Sequence, residues 1–464
     1  MRASRLWTGF SILIAVIFGA AGPRAIRAAQ AAAPAAATEE SRSQTILIFP
    51  CENKSKTPNT DWLGDGLSEL TVDRLEDRRA SVLSRRDRLA VLEKMGLPDS
   101  ARFTHATLVK IAGEADADVV VYGQFTIDGS TVTLEARVLH ISPPSLSPPL
   151  TETSSMQGVI RAHARLTWQI LCAIDDANCP AEGANRDETS FSDPPASLHL
   201  EALQNLAQGL NSSDDDERLR LLREASRLEP TWDRPPFELG LIYFGRHDCD
   251  LALSWLSRVP PDRPNGPEAS FDAGVCHLQR NDFARAVAAF SSLVDRSHSS
   301  DPKEHLPELP DARNNLGVSL MRQGKYADAE IEFERAAALD PGEPDYLVNL
   351  ALTQIAQNEP AAGVAPLESA EKLSPDDEDE RAILVALLKM LGRNSDADAV
   401  RAEMPGTAAA TPLPNLKDSG HLMLLARVVT KFDRTQLWPS SDPAAAQPAP
   451  GAAPAAGGSK GKQP

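Results

Sequence analysis

Apolar and polar residues alternate along much of residues 45–176, and the pattern predicts strands mixed with helices. The run Thr45-Ile-Leu-Ile-Phe-Pro50 is typical of a buried strand. Residues 118–127 and 131–141 lie on either side of Asp128-Gly129, which predicts a β-hairpin. Other patterns predict a short strand over 80–84 and helices over 62–75, 87–95, 107–114 and 157–173. About 130 residues of this kind predict one small α/β domain.

Small residues recur at a longer interval in the carboxy-terminal half. Gly240 and Gly274 are 34 residues apart, and so are Gly317 and Ala351. This period is typical of paired-helix solenoids, because small residues let antiparallel helices approach closely. Repeat units are expected to start near residues 198, 233, 267, 310, 344 and 378. Pro366 falls inside the expected second helix of the fifth unit and should kink it.

The unit over residues 311–341 resembles the tetratricopeptide (TPR) repeat. The residues that fall on the family pattern are Leu316, Gly317, Leu320, Gly324, Tyr326, Ala329, Phe333, Ala336 and Pro341. The resemblance implies an all-α TPR superhelical solenoid with about five to six repeats over residues 198–405. Together with the pattern of residues 45–176, it predicts an α/β amino-terminal domain followed by this solenoid. Arrays of this kind bind protein or peptide partners and rarely catalyse reactions.

Short motifs of the amino-terminal domain are similar to those of a second group of families. Ile48-Phe-Pro50, Glu52-Asn53 and residues 61–70 resemble TolB amino-terminal domains. Ser84-Arg85 and residues 115–123 resemble curli-assembly and flagellar outer-membrane domains. This resemblance, which covers residues 45–176, implies a periplasmic location and an interaction role. It transfers no catalytic residues.

The concave face of such an array, lined by the first helix of each unit, is the candidate binding site. The candidate partner-binding residues are Phe237, Leu241, Phe244, Phe271, Val275, Leu278, Asn315, Val318, Met321, Arg322 and Asn349. Asn315 and Asn349 match the asparagine with which the family binds the backbone of a peptide. Arg322 is the single cation at these positions, which does not favour a clamp for a free carboxy terminus. In the alternative interpretation, several of these candidates only pack on the neighbouring helix. Phe271 is expected to be dispensable for folding.

Cysteine spacing predicts disulfide bonds in an oxidising compartment. The predicted pairs are Cys172 with Cys179 and Cys249 with Cys276. Zinc is the alternative for the second pair, because histidines lie beside both cysteines. One of them, His277, occupies a position that is normally core, so no metal is assigned. Cys51 is expected to be unpaired.

The ends of the chain and its connecting segments have the composition of signals and linkers. Residues 1–29 are predicted to be a signal peptide and residues 30–44 an alanine-rich linker. Residues 177–197 are a second linker, and no membrane-spanning segment is expected after signal cleavage. Residues 406–438 are a linker with an amphipathic helix over 419–432, which caps the array or fills the groove. Residues 439–464 are rich in alanine and proline, and disorder is expected there.

Charge and motifs narrow the class of function. The formal net charge of −18 over 464 residues disfavours nucleic-acid binding. No enzyme is predicted and no cofactor is expected, because the sequence has no Gly-x-Ser-x-Gly or His-Glu-x-x-His motif. Gly64-Asp65-Gly66 is interpreted as a helix-entry turn, since no phosphate-loop lysine follows it. The predicted function is an exported, periplasmic scaffold that binds a peptide segment of a partner protein; the alternative is a subunit of a secretion or surface-assembly machinery. The partner and the oligomeric state are left open.

Overall fold

The structure is a computed structural model that describes residues 44–78, 80–99, 102–175, 198–301, 305–404 and 412–437. All of these residues belong to one compact unit. The predicted signal peptide, most of the alanine-rich linker, residues 177–197 and residues 439–464 lie outside the described residues.

Seven strands form one mixed sheet in the amino-terminal part. They are β1 (Thr45–Ile48), β2 (Glu52–Asn53), β3 (Ser81–Val82), β4 (Val119–Asp128), β5 (Thr131–His140), β6 (Ser145–Leu146) and β7 (Leu150–Ser155). The order is β3-β1-β4-β5-β6, with β1 parallel to both of its neighbours. The predicted hairpin forms from β4 and β5, with Phe125 opposite Leu134.

Four helices cover the two faces of this sheet. They are α1 (Trp62–Glu76), α2 (Arg85–Lys94), α3 (His105–Glu114) and α4 (Val159–Ile174). Alternate residues of β1 point to opposite faces, as the period of a strand requires. Ile46 and Ile48 pack with α1 and α4, whereas Leu47 packs with α2 and α3. The sheet is therefore covered by helices on both sides around β1, which confirms that this region contains an α/β arrangement.

Six helix pairs follow, and together they confirm the helical repeat pattern. They are α5 (Leu200–Asn211) with α6 (Asp215–Leu228), α7 (Arg234–Gly245) with α8 (Cys249–Leu256), α9 (Gly266–Gln279) with α10 (Phe283–Asp295), α11 (Pro310–Arg322) with α12 (Tyr326–Leu339), α13 (Pro344–Ala356) with α14 (Val364–Leu373), and α15 (Glu378–Met390) with α16 (Asn394–Ala402).

The periodic glycines mark places where the two helices of a pair touch. A Cβ atom on Gly274 would lie 2.6 Å from the Phe290 ring, and one on Gly317 would lie 2.7 Å from the Phe333 ring. Any larger residue would therefore push the second helix away from the first. Because this contact recurs in successive repeat units, small residues recur in the sequence at an interval of 34.

Two local predictions are wrong, and one strand was not predicted. Pro366 lies in the first turn of α14, where its missing N–H has no helical acceptor, so it kinks nothing. Gly64 and Gly66 lie within α1 rather than in a turn before it. Their lack of a Cβ serves close packing, because a Cβ on Gly64 would lie 2.1 Å from the Cys51 carbonyl oxygen. Strand β7 was not predicted, since its sequence LTETSS has no apolar alternation and its side chains are half-buried or exposed.

The amino-terminal domain, through α1, and the helical array share a packed interface. Leu203 of α5 is fully buried in the same apolar cluster as the α1 side chains. Gly66 leaves room for it, because a Cβ atom on Gly66 would lie 3.0 Å from Leu203 Cγ. Arg234 of α7 donates to Glu69 at 2.5 Å, to Asp73 at 3.1 Å and to Glu238 at 2.9 Å. Since Glu69 is 0% and Arg234 5% exposed, the interface contains a buried ion network.

Residues 412–437 return to the array after its last repeat. They contain α17 (Ser419–Leu425), and a 3₁₀ turn over Arg434–Leu437 follows farther on. The predicted helix over 419–432 therefore ends at Leu425, seven residues early. Val428, Val429 and Thr430 are β-branched and disfavour helix, and the backbone there is engaged by side chains of the array.

Candidate functional site

The first helices of the third to fifth repeats form a groove that holds residues 426–434 of the same chain, called here the groove segment. The best-defined contact is made by Asn315 of α11. Its Nδ2 donates to the carbonyl oxygen of Val429 at 2.7 Å, and its Oδ1 accepts from the Val429 N–H at 3.0 Å. One amide side chain thus satisfies both backbone groups of a single residue.

Asn349, 34 residues later in α13, repeats this arrangement two residues earlier in the groove segment. Its Nδ2 donates to the Arg427 carbonyl oxygen at 2.8 Å, and its Oδ1 accepts from the Arg427 N–H at 2.8 Å. Asn314 adds a longer bond of 3.2 Å to the same carbonyl. Residues i and i+2 of an extended chain present their backbone groups on the same side, so the asparagine pair contacts the segment as a neighbouring strand would.

A row of acidic residues runs beside the asparagine pair. Glu268, Asp311 and Asp345 lie in the first turns of α9, α11 and α13. Asp311 and Asp345 precede Asn315 and Asn349 by four residues, which places them on the same helix face. We call these three residues the acidic row.

Each member of the acidic row contacts a polar side chain of the chain's own carboxy-terminal segment. Asp345 accepts from Arg427 at 2.5 Å, and Asp311 accepts from Gln436 at 2.6 Å. Glu268 accepts from Arg434 at 2.9 Å. The asparagine pair therefore contacts the backbone of the segment, while the acidic row contacts its side chains.

Arg427 lies among several carboxylates. Besides Asp345, it lies 2.9 Å from Asp377 and 3.8 Å from Glu380 of α15. Burial raises the pKa of Glu380 to about 7, against the lowering effect of Arg427. Among the described residues, neither carboxylate oxygen of Glu380 has a hydrogen-bond partner. This carboxyl group is therefore poised to change its charge near neutral pH.

An aromatic contact lies farther along the groove segment. The rings of Phe432 and Phe271 are 5.3 Å apart, and Phe271 also contacts Phe290 edge-on at 5.6 Å. Phe432 is only 6% exposed. The groove segment thus adds an aromatic side chain to the core of the third repeat.

The segment ends between the array and the amino-terminal domain. Arg434 donates to Glu268 of α9 at 2.9 Å and to Glu76 of α1 at 2.6 Å. Arg86 of α2 also reaches Glu268, at 2.5 Å. The α1 and α2 helices therefore complete one end of the groove.

The sequence-predicted site residues fall into three groups. Asn315, Asn349 and Phe271 contact the groove segment. Five others are almost fully buried in the helical clusters, namely Phe237, Val275, Leu278, Val318 and Met321. Leu241, Phe244 and Arg322 are half-buried, and the Arg322 guanidinium lies 6.0 Å from the centre of the Phe283 ring. The candidate apolar residues therefore do not line an open groove in the structure.

The expectation that Phe271 is dispensable for folding is wrong. Its side chain is 0% exposed and belongs to the same apolar cluster as Phe290 and Phe333. A truncation at this position therefore removes core packing as well as a contact with the groove segment.

The acidic row was not predicted from the sequence, although its members recur at a repeated position. Asp311 and Asp345 are 34 residues apart, and Glu268 precedes Asp311 by 43, as Gly274 precedes Gly317. Acidic residues at one repeated position are easily mistaken for helix-start residues, which the helix dipole also favours. Their partners Arg427, Arg434 and Gln436 lie far away in the sequence, so no local pattern joins them.

The cysteines of the repeats are joined in the structure. Cys249 of α8 and Cys276 of α9 form a disulfide, with Cα atoms 5.2 Å apart. Both sulfurs are thereby used, and no group of residues suited to a metal ion occurs in the described ranges. Cys172 is disulfide-bonded, but its predicted partner Cys179 lies outside the described residues. Cys51 is a free thiol.

Comparison with known proteins identifies the repeats. A tetratricopeptide-repeat family model matches residues 237–302 and 303–378. The chain therefore contains TPR repeats, a structural unit that mediates protein binding rather than catalysis. None of the helices in the described ranges is long and apolar enough to cross a membrane.

Individual relatives are distant. A BBSome complex member BBS4 homolog from Drosophila melanogaster is 22% identical over 174 residues, which is 37% of this chain and 34% of that protein. The chain thus spans about a third of the length of this curated relative. The type IV pilus biogenesis factor PilW is 17% identical, with 46% of this chain and 96% of PilW covered at a TM-score of 0.37. YrrB, described as a TPR protein with an unusual peptide-binding site, is 12% identical, with 40% and 95% covered at a TM-score of 0.33.

Proposed function

We propose that this protein is an exported scaffold whose TPR groove binds an extended segment of a partner protein. The observation that carries the proposal is the asparagine pair. Asn315 and Asn349 each contact both backbone groups of one residue in an extended chain. Backbone groups are common to all peptides, so this contact is not restricted to the chain's own sequence.

The groove segment supports the proposal by acting as a bound peptide would. A segment held by main-chain hydrogen bonds gains affinity from its backbone and specificity from side chains in neighbouring pockets. Both elements are present, since Phe432 packs on Phe271 and the arginines reach carboxylates. The intramolecular arrangement benefits from a high effective concentration of the segment, so a partner must compete with it.

The proposed location is the periplasm or another oxidising space outside the cytoplasm. Its support is the signal-like sequence of residues 1–29, the bridge between Cys249 and Cys276, and the resemblance of the amino-terminal domain to TolB-type domains. Expression in a bacterium tests it. The mature chain should lack the signal sequence and carry the oxidised pair; a full-length chain with free thiols would contradict export.

The binding proposal can be tested once the groove segment is displaced. In the full chain, Val429→Pro removes the N–H that Asn315 accepts, and Phe432→Ala removes the aromatic contact; we call this double substitution the open variant. The open variant should enrich peptides from a random library. Adding Asn315→Ala and Asn349→Ala should abolish the enrichment.

A matched asparagine controls for general damage. Asn205 of α5 donates only to the Glu201 carbonyl of its own helix among the contacts described, so Asn205→Ala should leave the selected peptides bound. Circular dichroism should show the same helix content in every variant. If the open variant keeps its helices but enriches no peptide, the array is not a peptide-binding site.

A further inference from the structure

We infer that the groove selects extended peptides that carry arginine at the positions of Arg427 and Arg434 and an aromatic residue at the position of Phe432. The groove segment is this chain's own copy of such a ligand. The inference rests on the proposed function and adds the chemistry of the partner: a basic, extended segment of a protein.

The charges around Arg427 give the first reason. Its guanidinium group lies 2.5 Å from Asp345, 2.9 Å from Asp377 and 3.8 Å from Glu380. These carboxylates come from two successive repeats: Asp345 lies in α13, Glu380 lies in α15, and Asp377 immediately precedes α15. Arginine is the side chain that pairs with several carboxylates in a fixed geometry. An acidic or apolar residue at this place would leave the buried Glu380 and the half-buried Asp345 and Asp377 without this cation.

The second arginine position is formed by two parts of the molecule. Arg434 is 8% exposed and lies between Glu76 of α1, which is 6% exposed, and Glu268 of α9, which is 3% exposed. The amino-terminal domain therefore contributes directly to the selection of the segment. Between the two positions, Phe432 lies on Phe271, which requires a planar apolar side chain.

Lys431 shows that charge alone is not what the groove contacts. It belongs to the same segment but is exposed and makes no described hydrogen bond or ion pair. Replacing Lys431 by glutamate changes the net charge of a peptide by as much as replacing Arg427 does. The two positions therefore separate recognition of a particular side chain from long-range attraction to a protein of net charge −18.

The test uses the full-length open variant and fluorescent peptides with the sequence of residues 424–437. Three peptides are compared: the natural sequence, one with Arg427→Glu and one with Lys431→Glu. The natural peptide should bind, the Arg427→Glu peptide at least about tenfold more weakly, and the Lys431→Glu peptide within about threefold. The wild-type chain should bind the natural peptide at least about tenfold more weakly than the open variant, because its own segment competes.

The outcomes distinguish this inference from the proposed function. Equal weakening by the two glutamate substitutions, or none, would overturn selection at Arg427 but leave peptide binding intact. Equal affinity of the wild-type chain and the open variant would overturn the role of the segment as an internal ligand. If the wild-type chain is a dimer that dissociates on Val429→Pro, the occupant is a second copy and the inference fails. If no peptide binds the folded open variant, the proposed function fails with it.

Discussion

The array contacts two other parts of the chain in physically different ways. Its first repeats contact the amino-terminal domain through the buried ion network of Arg234, Glu69 and Asp73 and through Leu203. Its later repeats contact the backbone of the groove segment through Asn315 and Asn349, in addition to the side-chain contacts of the acidic row and Phe271. The first interface depends on particular side chains on both sides. The second would accept any extended chain whose side chains suit the acidic row.

Under the proposed function, this difference separates a permanent interface, with the amino-terminal domain, from an exchangeable one, with the groove segment. A buried ion network is costly to open, because each charge loses its partner in a poorly solvated place. Breaking the hydrogen bonds between an asparagine and a backbone costs less free energy, because water can replace these bonds once the groove opens. Arg434 belongs to both regions, because it contacts Glu76 of the amino-terminal domain and Glu268 of the array. Release of the groove segment therefore also removes one contact between the two parts.

The largest effect is expected at the permanent interface. Arg234→Ala leaves Glu69 buried without its cation and should lower the free energy of unfolding by about 3–5 kcal/mol. Urea denaturation of the full chain measures this. Arg220→Ala is the control, because Arg220 forms an exposed, solvent-screened pair with Glu217, and its loss should leave the free energy of unfolding nearly unchanged. Equal effects of the two substitutions would mean that the network contributes no more than a surface pair.

The next effect concerns the disulfide between the second and third repeats. Replacing Cys249 and Cys276 by serine should lower the free energy of unfolding by about 2–4 kcal/mol, since the bridge limits the unfolded chain. Thermal melting with and without a reductant measures the same contribution in the natural chain. A melting temperature unchanged by both treatments would show that the bridge is absent from the protein.

The smallest effect depends on pH and has opposite signs for folding and for docking. The pKa of Glu380 is raised to about 7 by burial, from an ordinary value of 4.5. Its contribution to fold stability is therefore present below about pH 4.5 and is lost as the pH rises through 7. Glu380→Gln should raise the free energy of unfolding at pH 8 by roughly 1–2 kcal/mol and change little at pH 4.

Docking of the groove segment should respond in the other direction. Burial raises the pKa of Glu380 and Arg427 partly offsets this by lowering it, so docking of Arg427 favours the ionised carboxylate and should weaken as the pH falls through 7. Peptide binding to the open variant should decrease roughly threefold to tenfold between pH 8 and 6. Glu380→Gln should remove most of this dependence, whereas Asp379→Asn, at an exposed neighbouring position, should not. An unchanged pH profile in Glu380→Gln would exclude Glu380 as its source.

The sequence predicted features that repeat and missed contacts between distant segments. The interval of 34 led to the correct six helix pairs, because it reflects a packing constraint that recurs in each unit. The resemblance to TPR repeats identified Asn315 and Asn349. Phe271 was assigned to an open groove, because its repeat position does not show that Phe290 and Phe432 lie on it.

The end of α17 shows the same limitation. The apolar pattern over 419–432 is compatible with a helix, and its termination at Leu425 depends on asparagines more than 75 residues away. The partners of the acidic row are equally remote, since Glu268 and Arg434 are 166 residues apart. Such contacts depend on the tertiary structure and produce no periodic pattern in the sequence.

Hydrogen–deuterium exchange across residues 426–434 of the full chain tests the occupied groove most directly. The Arg427 and Val429 amides donate to Asn349 and Asn315, so exchange there should be slow in the wild-type chain. In the Asn315→Ala, Asn349→Ala variant it should approach the rate of an unfolded peptide while the array helices stay protected, and Asn205→Ala should match the wild type. Rapid exchange of residues 426–434 in the wild-type chain would contradict the account, because the groove segment would then not occupy the groove.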